Sequence, residues 1–521
     1  MDKKDIFLVV LLLFAIYLWS LPVNNIPFGD VDSSVHFTSG DYMATFDKSI
    51  TQLPSYMSYA ITADTGGRFA YPPQFNAGEA IAQILGGQRI IPVYLFIVLL
   101  CSSVVLSVYF LIRKLYGFFP ALLAAFLAIF SRRDIMYYLW GLWPQTIAFA
   151  FFPIVVYSYY KFIDLYDNKK ERIKYILLTI LFIGLQYTFH PQLLFFSLTF
   201  VFIYPLVLFI KDKRLPFKIK DFSLLIVLLV VLIIILAPLQ LRTVLGNLGA
   251  INTGARTEGY SLKFDKIGGL FYWFKFYDDY LSSVPKPYFS YSYVYGGYWT
   301  FPLLILGFAF LVIRRKKQDY LMISWAITLY LFLHMDIIGG NRSFRFLQIE
   351  AQLFSSIIAI GLIGITSFIK LPEKQKNYLK YGLVLVFIIF GLFFNAKPVY
   401  SELKSSYQGI TRMSEAEYNA ALWVRENLPE DSLILLAGTV AYNKKKWFLG
   451  LSFRHILYDN QLITQEDADK ATHVLLDYSD MVMIGRKDLI EQLQKWEKTF
   501  LANATSLYDE GYVKVYKLEN R

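Results

Sequence analysis

Along most of this chain the apolar residues come in runs and do not alternate with polar ones. A membrane span needs about 20 mostly apolar residues. About eleven stretches approach that length: 6–23, 90–112, 117–130, 144–160, 175–189, 191–210, 222–241, 298–313, 320–335, 346–369 and 380–395. The third is short and needs a tilt or an extension at one end. Past residue 395 the pattern changes. Ser414-Glu415-Ala416-Glu417 is a capping box, so a helix should run from there to about Asn427, before Pro429. Strand-like runs follow at Leu433 to Leu436, Val474 to Leu476 and Val513 to Tyr516. From Lys487 to Phe500 the apolar positions Leu489, Ile490, Leu493 and Trp496 recur at helical spacing.

The expected fold is therefore mostly α: a polytopic membrane region over 1–395, then a small α/β domain over 396–521. Basic residues set the orientation. Arg113 and Lys114, Lys169 to Lys174, Lys211 to Lys220, Arg314 to Lys317, and Lys374 to Lys380 all fall on one side, together with Lys3 and Lys4. The positive-inside trend makes that side cytoplasmic. The N-terminus is then cytoplasmic, and Met1 to Val23 reads as a retained anchor. Outer loops 24–89 and 242–297 and the C-terminal domain face out.

Composition agrees with this threading. The 521 residues are 56% hydrophobic and 18% aromatic, which excludes an ordinary soluble globule. The net charge of +11 resides in short loops, so it marks membrane topology and not a nucleic-acid partner. With one cysteine, Cys101, no internal disulfide can form. There is no P-loop, dinucleotide-binding glycine motif, H-E-x-x-H or cysteine metal site, which argues against ATP-driven transport. The richness in Lys, Ile and Tyr points to a prokaryotic plasma membrane.

Charged residues at a bilayer border are costly unless they face water or a polar cavity. In Gly29-Asp30-Val31-Asp32-Ser33-Ser34-Val35-His36, a helix would put Asp32 and His36 on one face. A carboxylate beside a histidine suits proton abstraction or metal binding, whereas either aspartate alone could be a helix cap. Ser131 to Trp143 is a short outer loop with Arg132, Arg133, Asp134, Tyr138 and Trp140. Its aromatic residues suit an interface, and its arginines need an anionic partner, either Asp134 or a lipid headgroup. Arg342 and Arg345 lead into a span with Glu350. Arginine forks match phosphate oxygens, although an internal Arg–Glu pair would satisfy the same residues. His190 sits at a break between spans, the place of a hydrogen-bonded turn residue.

This layout resembles the C-type integral-membrane glycosyltransferases (GT-C), which use polyprenyl-phosphate-linked sugars. Gly29 to His36 is similar to the first-loop D-x-x-x-H motif of oligosaccharyltransferase catalytic subunits, with Asp32 and His36 at the matching places. Arg342-Ser343-Phe344-Arg345-Phe346 is similar to the late-span arginine segment near the lipid phosphate. Ala420 to Pro429 looks like the opening of several members' outer domains. The resemblance implies transfer of a sugar to an extracytoplasmic glycan, lipid or protein, with inversion. It implies Asp32, with Asp30 in reserve, as base, and His36 beside them. Arg342, Arg345, Arg132, Arg133, Glu350 and His190 would serve the donor, and Asp134, Trp140 and Tyr138 the acceptor side. A divalent metal, Mg or Mn, would be held by Asp30, Asp32 and Asp134. The alternatives are a transporter or flippase of lipid-linked sugars, or a non-catalytic membrane scaffold.

Overall fold

A computed structural model describes residues 6–47, 74–165, 168–214, 216, 219–236, 291–295, 297–334, 343–405, 412–439, 442–457 and 470–518. Its longer helices in the first half are α1 (Ile6–Trp19), α2 (Val31–Phe46), α3 (Gln74–Gly86), α4 (Ile91–Tyr116), α5 (Phe118–Ile129), α6 (Arg132–Leu139), α7 (Trp143–Asp164), α8 (Lys169–Phe189), α9 (Gln192–Asp212) and α10 (Ile219–Leu236). The second half holds α11 (Phe301–Arg314), α12 (Lys317–His334), α13 (Leu347–Gly364), α14 (Glu373–Gly391), α15 (Lys397–Ser405), α16 (Glu415–Asn427), α17 (Tyr442–Ser452) and α18 (Lys487–Phe500). The strands are β1 (Leu433–Ala437), β2 (His455–Leu457), β3 (His473–Asp477), β4 (Thr505–Asp509) and β5 (Val513–Lys517).

Each apolar stretch predicted above overlaps a helix. Among the described residues six helices are long and apolar enough to cross a membrane, which makes the protein an integral membrane protein. Ile6–Trp19, Phe118–Ile129, Ser223–Leu232 and Phe301–Arg314 are apolar but shorter. By its contacts the chain divides into two compact units, one of Met1–Trp19, Val98–Tyr138 and Trp143–Glu402, the other of Ser20–Ile97, Leu139–Leu142 and Leu403–Arg521.

The first unit is helix packed on helix. Aromatic rings fill its interior: Phe152 lies 4.9 Å from Phe196 and 5.1 Å from Trp325, and Phe332 lies 4.7 Å from Phe346. Offset and edge-on rings of this kind add to what area burial alone contributes. Helices α11 and α13 approach closely because Gly307 faces Gly361; a Cβ on Gly361 would stand 2.4 Å from the Gly307 Cα. Such small-residue crossings let backbones pack tightly where lipid supplies no hydrophobic drive. Leu177, Phe202, Leu385 and Ile389 stay exposed, as expected of side chains that face acyl chains.

The second unit contains a five-stranded sheet in the order β2-β1-β3-β5-β4. β1 pairs parallel with β2 and β3, and β5 pairs antiparallel with β3 and β4. The predicted capping box is present: the Ser414 side chain accepts from the Glu417 N–H, and the Glu417 carboxylate accepts from the Ser414 N–H. Leu489, Ile490, Leu493 and Trp496 of α18 pack on Leu435, Val474 and Leu476 of the sheet. The face read from the apolar spacing is thus the face that is buried. Strands β2 and β4 are too short or too polar to have been predicted.

Candidate active site

In the second unit the acidic motif opens α2. Asp30 immediately precedes the helix, and its N–H donates to the Leu139 carbonyl at 3.0 Å. Asp32 lies in the first turn and is 7% exposed, and His36 is 1% exposed one turn later on the same face. A carboxylate in a helix's first turn complements the helix dipole. The way into the helix is tightly held. Tyr94 Oη accepts from the Phe28 N–H at 2.9 Å and donates to the Phe28 carbonyl at 2.7 Å. Trp447 of α17 donates its indole N–H to the Gly29 carbonyl at 3.2 Å. Gly29 and Gly141 both have positive φ, at 115° and 79°. A Cβ on Gly141 would stand 2.2 Å from the Ser33 backbone nitrogen, so only glycine fits between the loop 139–142 and the start of α2. Trp140, in that loop, is half-buried.

Behind this motif α3 packs on α2. Asn76 donates to the His36 carbonyl at 2.9 Å and to the Glu79 carboxylate at 3.1 Å. The His36 ring meets Phe75 edge-on, with centroids 5.4 Å apart. Burial drives the Glu79 carboxyl well above the usual range, and the Asn76 amide offsets only part of this. The folded-state value therefore exceeds the unfolded one. The unfolded chain loses its proton first, near pH 4, and stability falls as the pH climbs above that. Glu79→Gln removes this cost. Its melting temperature should rise relative to the parent by more at pH 8 than at pH 4; an equal offset at both would show that Glu79 is not held protonated.

Farther along α2, Asp41 is buried and takes Arg89 and Arg425 as partners, the latter at 3.1 Å, with Gln83 at 3.0 Å. These contacts pin the first-loop helices to α16. No local pattern marks them, since Arg89 and Arg425 lie 48 and 384 residues from Asp41 along the chain.

The first unit has its own buried polar layer. Glu350, predicted to need a partner, pairs with Arg133 at 3.2 Å, and neither side chain is exposed. Arg345 Nη1 lies 3.2 Å from His190 Nε2. Because a guanidinium only donates, Nε2 is the acceptor in this contact. Gln145 donates to the Arg345 carbonyl at 2.8 Å and to Gln348 at 3.2 Å, and Gln348 donates to Thr146 at 2.7 Å. Arg132 finds its anionic partner in Glu402, at 3.1 Å, and its guanidinium lies 4.4 Å from the centre of the Tyr293 ring. Asp134 is buried, and its N–H donates to Ser131 Oγ at the start of α6. The Tyr138 hydroxyl donates to the Trp19 carbonyl at 3.0 Å. Arg342 lies outside the described residues.

Among the described residues one group offers three acidic ligand atoms within 4.8 Å of one another: Glu417, Asp477 and Asp480. It does not fit a divalent cation, because Lys444 already fills the place of one. The Lys444 ammonium donates to Glu417 at 2.7 Å and to Asp480 at 2.5 Å. Burial pushes this ammonium down, but the two carboxylates outweigh burial and hold it above the usual lysine value. Burial first, then Glu417, drives the Asp477 carboxyl up. The cluster is a buried ion-pair network that joins α16 and α17 to the residues after β3.

The apolar helices, the first-loop acidic helix and the mixed α/β tail form a fold that solved membrane-protein structures share. The chain is similar to ArnT from Cupriavidus metallidurans in the apo state, at 10% identity over 98% of each chain, with a TM-score of 0.61. ArnT bound to undecaprenyl phosphate is similar at a TM-score of 0.51. The Archaeoglobus fulgidus oligosaccharyltransferase tethered to an acceptor peptide is similar at 16% identity, over 91% of this chain and 69% of that one, with a TM-score of 0.51. No curated protein sequence matches. The chain belongs to DUF6541, a family of unknown function, which matches residues 6–345.

Proposed function

We propose that this protein is a membrane glycosyltransferase that moves one sugar from a polyprenyl-phosphate-linked donor to an extracytoplasmic acceptor. The supporting observation is the fold likeness to ArnT, which extends over 98% of both chains. One solved ArnT structure holds undecaprenyl phosphate, and an archaeal neighbour holds dolichol-phosphate.

In this reading the acceptor hydroxyl loses its proton to Asp32, with Asp30 as the reserve base. The acceptor oxygen then bonds to the anomeric carbon as the bond to the lipid phosphate breaks, and the phosphate leaves with the electron pair. The carbon gains oxocarbenium character, and one displacement inverts it. Arg345, oriented by His190, meets the growing phosphate charge, with Arg342 and Arg133 assisting. Trp140 and Asp134 serve the acceptor side. None of these steps is routed through a divalent ion on Asp30, Asp32 and Asp134.

The test is sugar transfer in isolated membranes that contain the chain, with labelled polyprenyl-phosphate sugars and a panel of acceptors. Transfer that depends on the chain supports the reading. No transfer from any lipid donor, with insertion verified, would favour transport or scaffolding. Gly141→Ala supplies an internal check, since its Cβ must push on Ser33. A displacement of about 1 Å can cost on the order of 100-fold, so transfer should fall by about that factor while insertion persists.

A further inference from the structure

Within the first unit a pocket of about 250 Å³ is lined by residues from the ends of α4, α11 and α13 and the beginning of α14. Its walls combine the apolar Phe310, Ile360 and Ile363 with Arg314, Lys376 and Lys380. The volume falls short of the roughly 300–1,000 Å³ of small-molecule sites, so it suits a headgroup and not a whole lipid.

The charges have different tasks. Arg314 is already engaged: it forms a two-pronged pair with Asp319 and lies 4.9 Å from the centre of the Tyr116 ring and 5.1 Å from that of Phe310. It is a rigid wall. Lys376 pairs with the carboxylate of Glu373, at 3.5 Å, whose side chain is 80% exposed, a contact of little weight in water. Lys380 lies 5.9 Å from the centre of the Phe119 ring. These two lysines can therefore turn to an anion at little cost. Beyond them, α14 exposes Tyr381, Leu385 and Ile389, a surface that suits acyl chains. These residues belong to the chain's basic loops and their neighbours, the side assigned to the cytoplasm.

We propose that this pocket binds the phosphate headgroup of an anionic glycerophospholipid on that side of the membrane. The site is separate from the proposed chemistry and does not depend on it. Each of the two lysines would donate a charge-assisted hydrogen bond to the headgroup phosphate, and losing both lowers affinity roughly 30-fold or more.

The experiment titrates the purified full-length chain with phosphatidylglycerol, phosphatidylcholine or inorganic phosphate and counts retained lipid by native mass spectrometry. The parent should retain phosphatidylglycerol in preference to phosphatidylcholine. Lys376→Ala with Lys380→Ala should weaken this roughly 30-fold or more, and Lys376→Arg with Lys380→Arg should preserve it. Lys370→Ala with Lys374→Ala removes equal charge from exposed residues that do not line the pocket and should change little. Equal losses in the two alanine pairs would reduce the effect to general surface attraction and overturn the site. Displacement of the lipid by inorganic phosphate at matching concentration would overturn the lipid assignment in favour of free phosphate.

Discussion

Asp32→Asn is expected to abolish sugar transfer while the protein still inserts and melts as the parent does. Asn has nearly the same shape and can still meet backbone N–H groups in the first turn of α2, so the helix start should persist. It cannot accept a proton from a hydroxyl at useful strength. A positioned base contributes roughly 10²–10⁴-fold, and the loss should fall in that range. It should appear in kcat more than in KM, because the proton moves only as the transition state forms. If Asp30→Asn shows the same loss and Asp32→Asn does not, the base is Asp30. Retained transfer in both variants would remove this motif from the chemistry.

The second large effect concerns Arg133 and Glu350. Arg133→Met leaves Glu350 buried without its guanidinium partner, and breaking such a pair costs about 3–5 kcal/mol. The measurement is thermal unfolding in detergent. Adding Glu350→Gln should restore most of the lost stability, since the stranded charge is then gone. Activity separates structure from catalysis. If the double variant regains stability and transfer, the pair only holds α6 to α13. If it regains stability but not transfer, Arg133 takes part in donor binding.

The local elements were legible because their causes are local. A run of apolar residues reports a helix in lipid, a Ser-x-x-Glu reports a helix start, and the 3.6-residue spacing of Leu489 to Trp496 reports which face is buried. The acidic motif was readable for the same reason: once residues 31–46 are helical, Asp32 and His36 must share a face. The run of three lysines, 444 to 446, carries no local sign of burial, yet Lys444 is buried and donates to two carboxylates. Nothing near Asp41 in the chain names Arg89 or Arg425 as its partners.

By itself the sequence determined that this is a helical membrane protein with a mixed α/β tail, and where most of its helices and strands run. Those features depend on solvent preference and periodicity, which act over one or two turns. Only the tertiary structure decided that Glu350 belongs to Arg133, that Arg132 belongs to Glu402, and that Gly141 must be glycine to admit the start of α2. A buried charge must find an opposite charge, but the rule does not say which one. That choice is made by which helices pack together, and chain order does not encode packing in any local pattern.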